Sequence, residues 1–365
     1  MFKRLESAAG RIAAPIMGAV RAKVRIGPIG ICLAALALFV TACDAGPEHD
    51  RQIVTVAGTT FPDTEGERHW LAFNDRLTAA SQGSIPLRML IYGQLGSEDQ
   101  LVSGLRRGRV QFANLSAMAV SAVVPEMALL YAPFLFDDTA EADYVYDNLL
   151  SPLYGELLAE KGLQLVSWYE IGFIDVYAKQ PLLTPDDARG RRFRVGSGPA
   201  ARLFAKALGA DVIPLGFADV VAALQTGLIE AGENAVSLYA RTGIATEAGH
   251  LTLTDHSFGV SAIVASKSWW DSLSAEEQAM VQAAWPAIEE TRAVVRAESA
   301  SDLENGAALG IVVHSLSAQQ REEWRAATTG VTEKLIAKIG GRSAEIYERI
   351  VKTRAEFRQA RATAD

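Results

Sequence analysis

Hydrophobic residues recur along this chain at two spacings, one typical of strands and the other of helices. Strands are predicted at residues 53–58, 87–91 and 110–113. Between the first two strands, a helix would carry Trp70, Phe73 and Leu77 on one face, and the pair Ser97 and Gln100 forms a capping box for a second helix. This β-α-β-α-β order predicts a mostly parallel sheet covered by helices.

The middle of the chain predicts a second α/β unit, and 365 residues are enough for two domains. Two strand candidates flank a break at residues 170–172. Helices are predicted after Pro199 and over 220–228. The strands predicted in this part of the chain are 163–168, 173–178, 193–195, 211–215 and 258–264.

The last part of the chain is predicted to be mainly helical. Ser274 and Glu277 cap a long helix that Pro286 should kink or divide. Two further helical segments are predicted at 317–338 and 343–361.

Residues 1–42 have the pattern of an export signal. Basic residues precede an apolar run at 29–40, which is too short for a comfortable membrane span. The residues before Cys43 resemble a bacterial lipobox, in which this cysteine would be lipidated and tether the protein to a membrane. Ordinary cleavage after Ala42 fits the same residues, so both alternatives remain, and Met17 is an alternative start.

The charge of the chain excludes some partners. The net charge is −8, and removal of a leader with six basic residues and one acidic residue leaves −13. An acidic surface argues against binding to nucleic acid or broadly to anionic membranes. Cys32 would leave with the leader, and Cys43 would stand alone at the start of a tether spanning 43–51. No disulfide is therefore expected within the mature chain.

We find no catalytic or metal-binding pattern. The five histidines have no ligand spacing, so we predict no metal, no cofactor and no enzyme activity. Residues 196–201 fit Gly-x-Gly-x-x-Ala, and Asp219 follows about twenty residues later, which leaves an NAD-dependent enzyme as an alternative. Against it, Asp219 begins a helix instead of ending a strand, and an exported protein rarely meets NAD.

The segment 191–234 instead predicts a binding site for an anion. Arg194 lies on a short strand, the chain breaks at 196–198, and Pro199 begins a helix. A guanidinium that faces a helix N-terminus is suited to a carboxylate. Asn234 closes the same segment with a polar amide. Further candidate contacts are Trp168, Tyr169, Phe217 and His256, although each of these taken singly is more typical of a core, rim or loop residue.

Several segments, in order, resemble motifs of the extracytoplasmic solute-binding proteins of TRAP transporters, the DctP-type family. The resemblance covers residues 53 to 285. It rests on segments 93–96, 125–126, 132–136, 168–173, 184–187, 194–195, 207–210, 223–227, 233–234 and 267–274.

The resemblance implies an α/β fold with two lobes, mixed sheets, hinge strands and C-terminal helices. Lobe I would comprise 52–171 and about 259–298, and lobe II about 172–258 and 299–365. In the family, the lobes close over an organic acid. The arginine that holds its carboxylate falls on Arg194, and a ligand-contacting asparagine falls on Asn234.

This chain departs from the family pattern at two positions. Ile174 stands where many members have a second arginine, and Ala235 replaces a proline. A ligand that needs only one cationic contact, a monocarboxylate, is therefore favoured.

We predict a periplasmic protein that captures a small organic acid and delivers it to a TRAP-type membrane permease. A ligand-sensing subunit of a membrane receptor is an alternative with the same kind of site.

Overall fold

A computed structural model of the protein describes residues 53–364. The predictions for the leader at 1–42, the tether at 43–51, the start at Met17 and the lipidation of Cys43 lie outside the described residues. Within 53–364, no helix is both long and apolar enough to cross a membrane.

The strands form one mixed sheet in the order β2-β1-β3-β8-β4-β7-β5-β6, with β9 paired to β8. The strands β2-β1-β3 at one end and β6-β5-β7 at the other are parallel. The two central strands, β8 and β4, pair antiparallel with each other, and they also pair antiparallel with β3 and β7, respectively. The strands are β1 Val54–Ala57, β2 Leu87–Leu90, β3 Phe112–Ser116, β4 Leu163–Ala178, β5 Arg192–Val195, β6 Asp211–Pro214, β7 Ala231–Ala235, β8 His250–Ser266 and β9 Val312–Ser315.

The α-helices cover this sheet and form most of the last hundred residues. They are α1 Glu65–Ala80, α2 Glu98–Arg106, α3 Ala117–Val120, α4 Thr139–Val145, α5 Ser151–Glu160, α6 Pro199–Ala207, α7 Val220–Gln225, α8 Val236–Arg241, α9 Ile244–Glu247, α10 Lys267–Trp270, α11 Ala275–Ala284, α12 Ile288–Glu304, α13 Ala318–Ala327, α14 Val331–Ile339 and α15 Ser343–Ala364. Shorter 3₁₀ or π turns lie at Pro125–Tyr131, Tyr146–Leu150, Pro185–Ala188, Phe217–Asp219 and Gly306–Leu309.

The predicted helices around α1 and α2 are confirmed. Trp70, Phe73 and Leu77 are buried on one face of α1, and the capping box of α2 is present. The expected division at Pro286 is also present, between α11 and α12. The segment 317–338 is divided as well, because Gly330 takes a left-handed conformation before α14.

The predicted break at 170–172 is wrong, because β4 runs through it as one strand of 16 residues. Gly172 has φ +101°, and the register with β8 shifts between Glu170 and Gly172. The glycine marks a β-bulge instead of a turn. Next to this bulge, Gly172 pairs with Gly259 of β8, so both long strands lack a side chain at the same level.

The fold is the expected two-lobed α/β fold with a mixed sheet and C-terminal helices. Apolar side chains pack on the sheet in separate clusters, one around Phe73 and Phe112 and another around Phe193, Phe204 and Trp324. Helix α15 packs against α4. The lobe boundaries given above stay predictions.

A buried carboxylate predicts how stability depends on pH. Asp175 of β4 is 1% exposed, and its Oδ1 accepts a hydrogen bond from the Asp255 backbone N–H at 2.9 Å. Burial, and then the charge of Asp255, raise the pKa of Asp175 well above its ordinary value. The folded state therefore holds a proton that the unfolded state has released, so stability should fall as pH rises from about 3.9 through the raised pKa.

We expect Asp175→Asn to stabilise the protein at neutral pH and to flatten this dependence. Asparagine keeps the acceptor and removes the buried charge. The free energy of unfolding should rise by about 1.4 kcal/mol for each unit of difference between the folded-state and unfolded-state pKa of Asp175 that the variant removes. Urea unfolding at pH 5 and pH 8 measures it, and a variant that is less stable than the parent at pH 8 would contradict the argument.

Candidate functional site

One cavity of about 890 Å³ opens where the carboxyl ends of the parallel strands meet. Its walls come from the loops after β1 and β2, the end of β3, the middle of β4, the ends of β5 and β7, and the loop after β6. Four predicted ligand contacts line it: Arg194, Asn234, Tyr169 and Phe217.

Arg194 is a buried cation of the cavity wall. Its residue is 9% exposed, and its Nε donates to the Leu215 carbonyl at 3.0 Å. Within residues 53–364, no acidic side chain forms an ion pair with it. A buried charge is costly unless it is paired, so this guanidinium is suited to an anion that enters the cavity.

Asn234 stands at the end of β7, directly after Glu233. Its Oδ1 accepts a hydrogen bond from the Ala235 backbone N–H at 2.9 Å. This contact fixes the orientation of the amide, and its NH₂ group can donate to a ligand in the cavity that Asn234 lines.

Aromatic rings form part of the cavity wall. Phe217, in the loop after β6, meets Phe61 of the β1–α1 loop edge to face, with the ring centroids 5.5 Å apart. Tyr169 of β4 packs edge to face on His69 at 5.4 Å. The Phe61–Phe217 contact joins two loops that come from opposite ends of the sheet.

The structure does not bring Trp168 to the cavity. Trp168 is 2% exposed, its Nε1 donates to Ser151 Oγ at 3.0 Å, and its ring packs against Tyr146 and Tyr154. Successive strand residues face opposite sides of a sheet, so Trp168 points away when Tyr169 lines the cavity.

His256 also lies behind the wall. Its ring stacks on Phe204 at 3.9 Å, and its Nε2 donates to Oε2 of Glu233 at 3.0 Å. Glu233 itself lines the cavity. The histidine is therefore placed to hold a cavity residue and not to touch a ligand.

Sequence reasoning missed Glu98, an acid in the first turn of α2. It lines the cavity, and its two carboxylate oxygens accept from the Ser116 backbone N–H at 2.6 Å and the Ser116 Oγ at 2.7 Å. Burial raises the pKa of Glu98, while the bonds from Ser116 act in the opposite direction. Its place in the first turn, directly after the capping Ser97, was visible in the sequence, but Ser116 is 18 residues away.

The other buried acids of the cavity wall have partners. Glu170 accepts from Arg296 at 2.6 Å, and Glu298 pairs with Arg241 at 3.1 Å. Among the non-exposed charges that line the cavity within residues 53–364, the buried Arg194 and the partly buried Glu98 thus remain without an ion-pair partner.

The glycines of the β5–α6 loop have a packing explanation. A Cβ at Gly196 or Gly198 would collide with the side chain of Met118. Helix α6 begins at Pro199 as predicted. Asp219 lies in a 3₁₀ turn beyond β6, away from the strand end that a ribose-binding acid occupies. These contacts explain the Gly-x-Gly pattern without a dinucleotide.

Residues 53–364 contain no group of three or more His, Cys, Asp or Glu side chains that could hold an ion.

Comparison with known proteins agrees with this geometry. Residues 58–339 match the family model described as bacterial extracellular solute-binding protein, family 7. The ectoine-binding periplasmic protein TeaA of Halomonas elongata is 28% identical over 263 residues, which cover 70% of this chain and 77% of TeaA. The 2,3-diketo-L-gulonate-binding periplasmic protein YiaO of Escherichia coli is 31% identical over 58% of this chain and 65% of YiaO.

A solved structure has the same fold. The sugar acid binding protein DctPAm of Advenella mimigardefordensis, in complex with galactonate, superposes with a TM-score of 0.79 at 26% identity, covering 84% of this chain and 98% of that chain. Family members are substrate-binding proteins, not enzymes, and are periplasmic. The chain belongs to bacterial extracellular solute-binding protein family 7, the extracytoplasmic solute-binding proteins of TRAP transporters.

Proposed function

We propose that this protein captures a small organic acid in the periplasm and delivers it to a TRAP-type membrane permease. The observation that carries the proposal is the buried guanidinium of Arg194, which lines a large cavity and lacks an acidic partner. A ligand carboxylate would supply that partner through two parallel N–H···O bonds.

The relatives support a carboxylate ligand. TeaA and YiaO are named for ectoine and 2,3-diketo-L-gulonate, and DctPAm is a sugar acid binding protein in complex with galactonate. Each of these compounds carries a carboxylate. They differ in the remainder of the molecule, so they do not name the ligand of this chain.

We place the ligand between Arg194 and Asn234 on one side and the rings of Tyr169 and Phe217 on the other. Trp168 and His256 would act indirectly, through the core and through Glu233. Ile174 lines the cavity as an apolar residue, which supports a ligand with one cationic contact.

Binding would proceed by closure of the two lobes. The long strands β4 and β8 would connect the lobes, and the paired glycines Gly172 and Gly259 lie beside the bulge where a hinge would bend. The Phe61–Phe217 contact would form part of the closed mouth.

A thermal-shift screen with carboxylic acids tests the function. A ligand present at one hundred times its dissociation constant raises the free energy of unfolding by about 2.7 kcal/mol. We expect a rise in melting temperature with at least one sugar acid, 2-hydroxy acid, 2-oxo acid or zwitterionic acid. If the screen, followed by calorimetry, finds binding to NAD and to none of these acids, the proposal is wrong.

Lipidation of Cys43 remains part of this proposal, since it would keep the protein at the membrane that holds the permease. Fractionation of cells that express the parent or Cys43→Ser checks it, because the variant should move to the soluble periplasmic fraction.

A further inference from the structure

We propose that the ligand is a monocarboxylate whose remainder carries hydrogen-bond donors facing Glu98, and that a second carboxylate is excluded. This inference rests on the proposed function, because Arg194 must hold the first carboxylate. It adds a specificity-determining residue to the site.

Glu98 lines the cavity, and no cationic side chain of residues 53–364 forms an ion pair with it. Both bonds from Ser116 reach it from the protein side, one to each oxygen. Each oxygen of an ionised carboxylate can accept a further bond. A ligand atom beside Glu98 is therefore favoured if it carries an N–H or O–H.

Glu98 and Arg194 act on the same ligand space. Both line the cavity, and within residues 53–364 no ion pair joins the two groups. A molecule that spans them meets a positive group at one end and a negative group at the other.

The rest of the cavity does not compensate for a second anionic group. Glu233 lines the same cavity and already accepts from His256. Arg241 is occupied by Asp302 and Glu298, and Ile174 is apolar. Arg202 also lines the cavity, but it is an exposed residue of α6. A second carboxylate near Glu98 would thus meet like charge in a partly desolvated site.

Hydroxyl groups and a protonated nitrogen both provide such donors. The two sources differ in how they respond to the charge of Glu98. A hydroxyl needs only an acceptor, which a glutamine also offers, whereas a protonated nitrogen gains from the negative charge itself.

Matched pairs of acids test the inference by calorimetry on the full chain. Gluconate and glucarate differ only at the last carbon, where glucarate has a second carboxylate. The acids 6-aminohexanoate and adipate form the same comparison for a protonated nitrogen. We extend the pairs to whichever acid the thermal-shift screen identifies. We expect each bound monocarboxylate to bind at least about tenfold more tightly than its matched dicarboxylate, the factor that one pKa unit of interaction represents.

Glu98→Gln assigns the preference to this residue, because the glutamine oxygen can still accept from the Ser116 backbone N–H while its NH₂ group donates to the Ser116 Oγ. In this variant, the ratio of the two dissociation constants, dicarboxylate over matched monocarboxylate, should shrink about tenfold; we call this ratio the gap. The affinity for a hydroxylated monocarboxylate should be kept, and the affinity for an aminated one should fall. Glu322→Gln, an exposed change on α13, is the control and should leave the gap unchanged.

Each outcome decides between the two proposals. A dicarboxylate that binds as tightly as its matched monocarboxylate overturns this inference and leaves the proposed function intact. An unchanged gap in Glu98→Gln overturns the role of Glu98. Binding to no acid of any class removes the proposed function, and this inference with it.

Discussion

Replacement of Arg194 by alanine is expected to weaken carboxylate binding by roughly 30- to several-thousand-fold, or about 2–5 kcal/mol. The ligand carboxylate would be desolvated in the cavity without its charged partner. Isothermal titration calorimetry with the acid identified by thermal shift measures the loss. Arg194→Lys should also bind weakly, because an ammonium cannot form the two parallel bonds of a guanidinium.

Arg194→Ala should not lower the free energy of unfolding when no ligand is present. The parent protein pays for an unpaired buried charge, and alanine removes it, so melting temperature and affinity respond differently. Arg192→Ala is the matched control. It changes another arginine of β5, one that pairs with Glu230 at 2.9 Å outside the cavity. Equal affinity in the Arg194 variants and the parent would refute the role of Arg194.

Much of the fold could be predicted from local signals. The capping residues of α2 and α11 and the Pro199 start of α6 act within one helical turn, so the sequence contains the whole interaction. The long strands could not be predicted in this way. Gly172 looks like a turn until its partner is known, and that partner, Gly259, is 87 residues further along the chain.

The residues of the candidate site show the same difference between local signals, which could be predicted, and distant partners, which could not. Arg194 and Asn234 were named because a strand end, a glycine break and a family motif coincide in a short segment. Glu98 and Phe61 were missed, because each depends on a partner from another element, Ser116 in one case and Phe217 in the other.

Trp168 shows the limit of reading a motif without its geometry. Trp168 and Tyr169 were both predicted to touch the ligand. In a regular strand two successive side chains point to opposite faces, so one of them had to face the core. The larger ring faces it, where it packs against two tyrosines and donates to Ser151.

We therefore expect Trp168→Ala to lower the free energy of unfolding by about 3–5 kcal/mol, the range for removing a large buried aromatic. Chemical denaturation measures this loss. Trp168→Phe should keep most of the packing and lose the bond to Ser151, at about 1–3 kcal/mol. We expect Trp168→Phe to remain folded, so its affinity for the carboxylate can be measured and should equal that of the parent. Tyr169→Ala, one residue away on the opposite face, should bind more weakly. If Trp168→Phe loses as much affinity as Tyr169→Ala, then Trp168 also acts on the ligand. In that case the face on which a β4 side chain lies would not decide whether it contributes to binding.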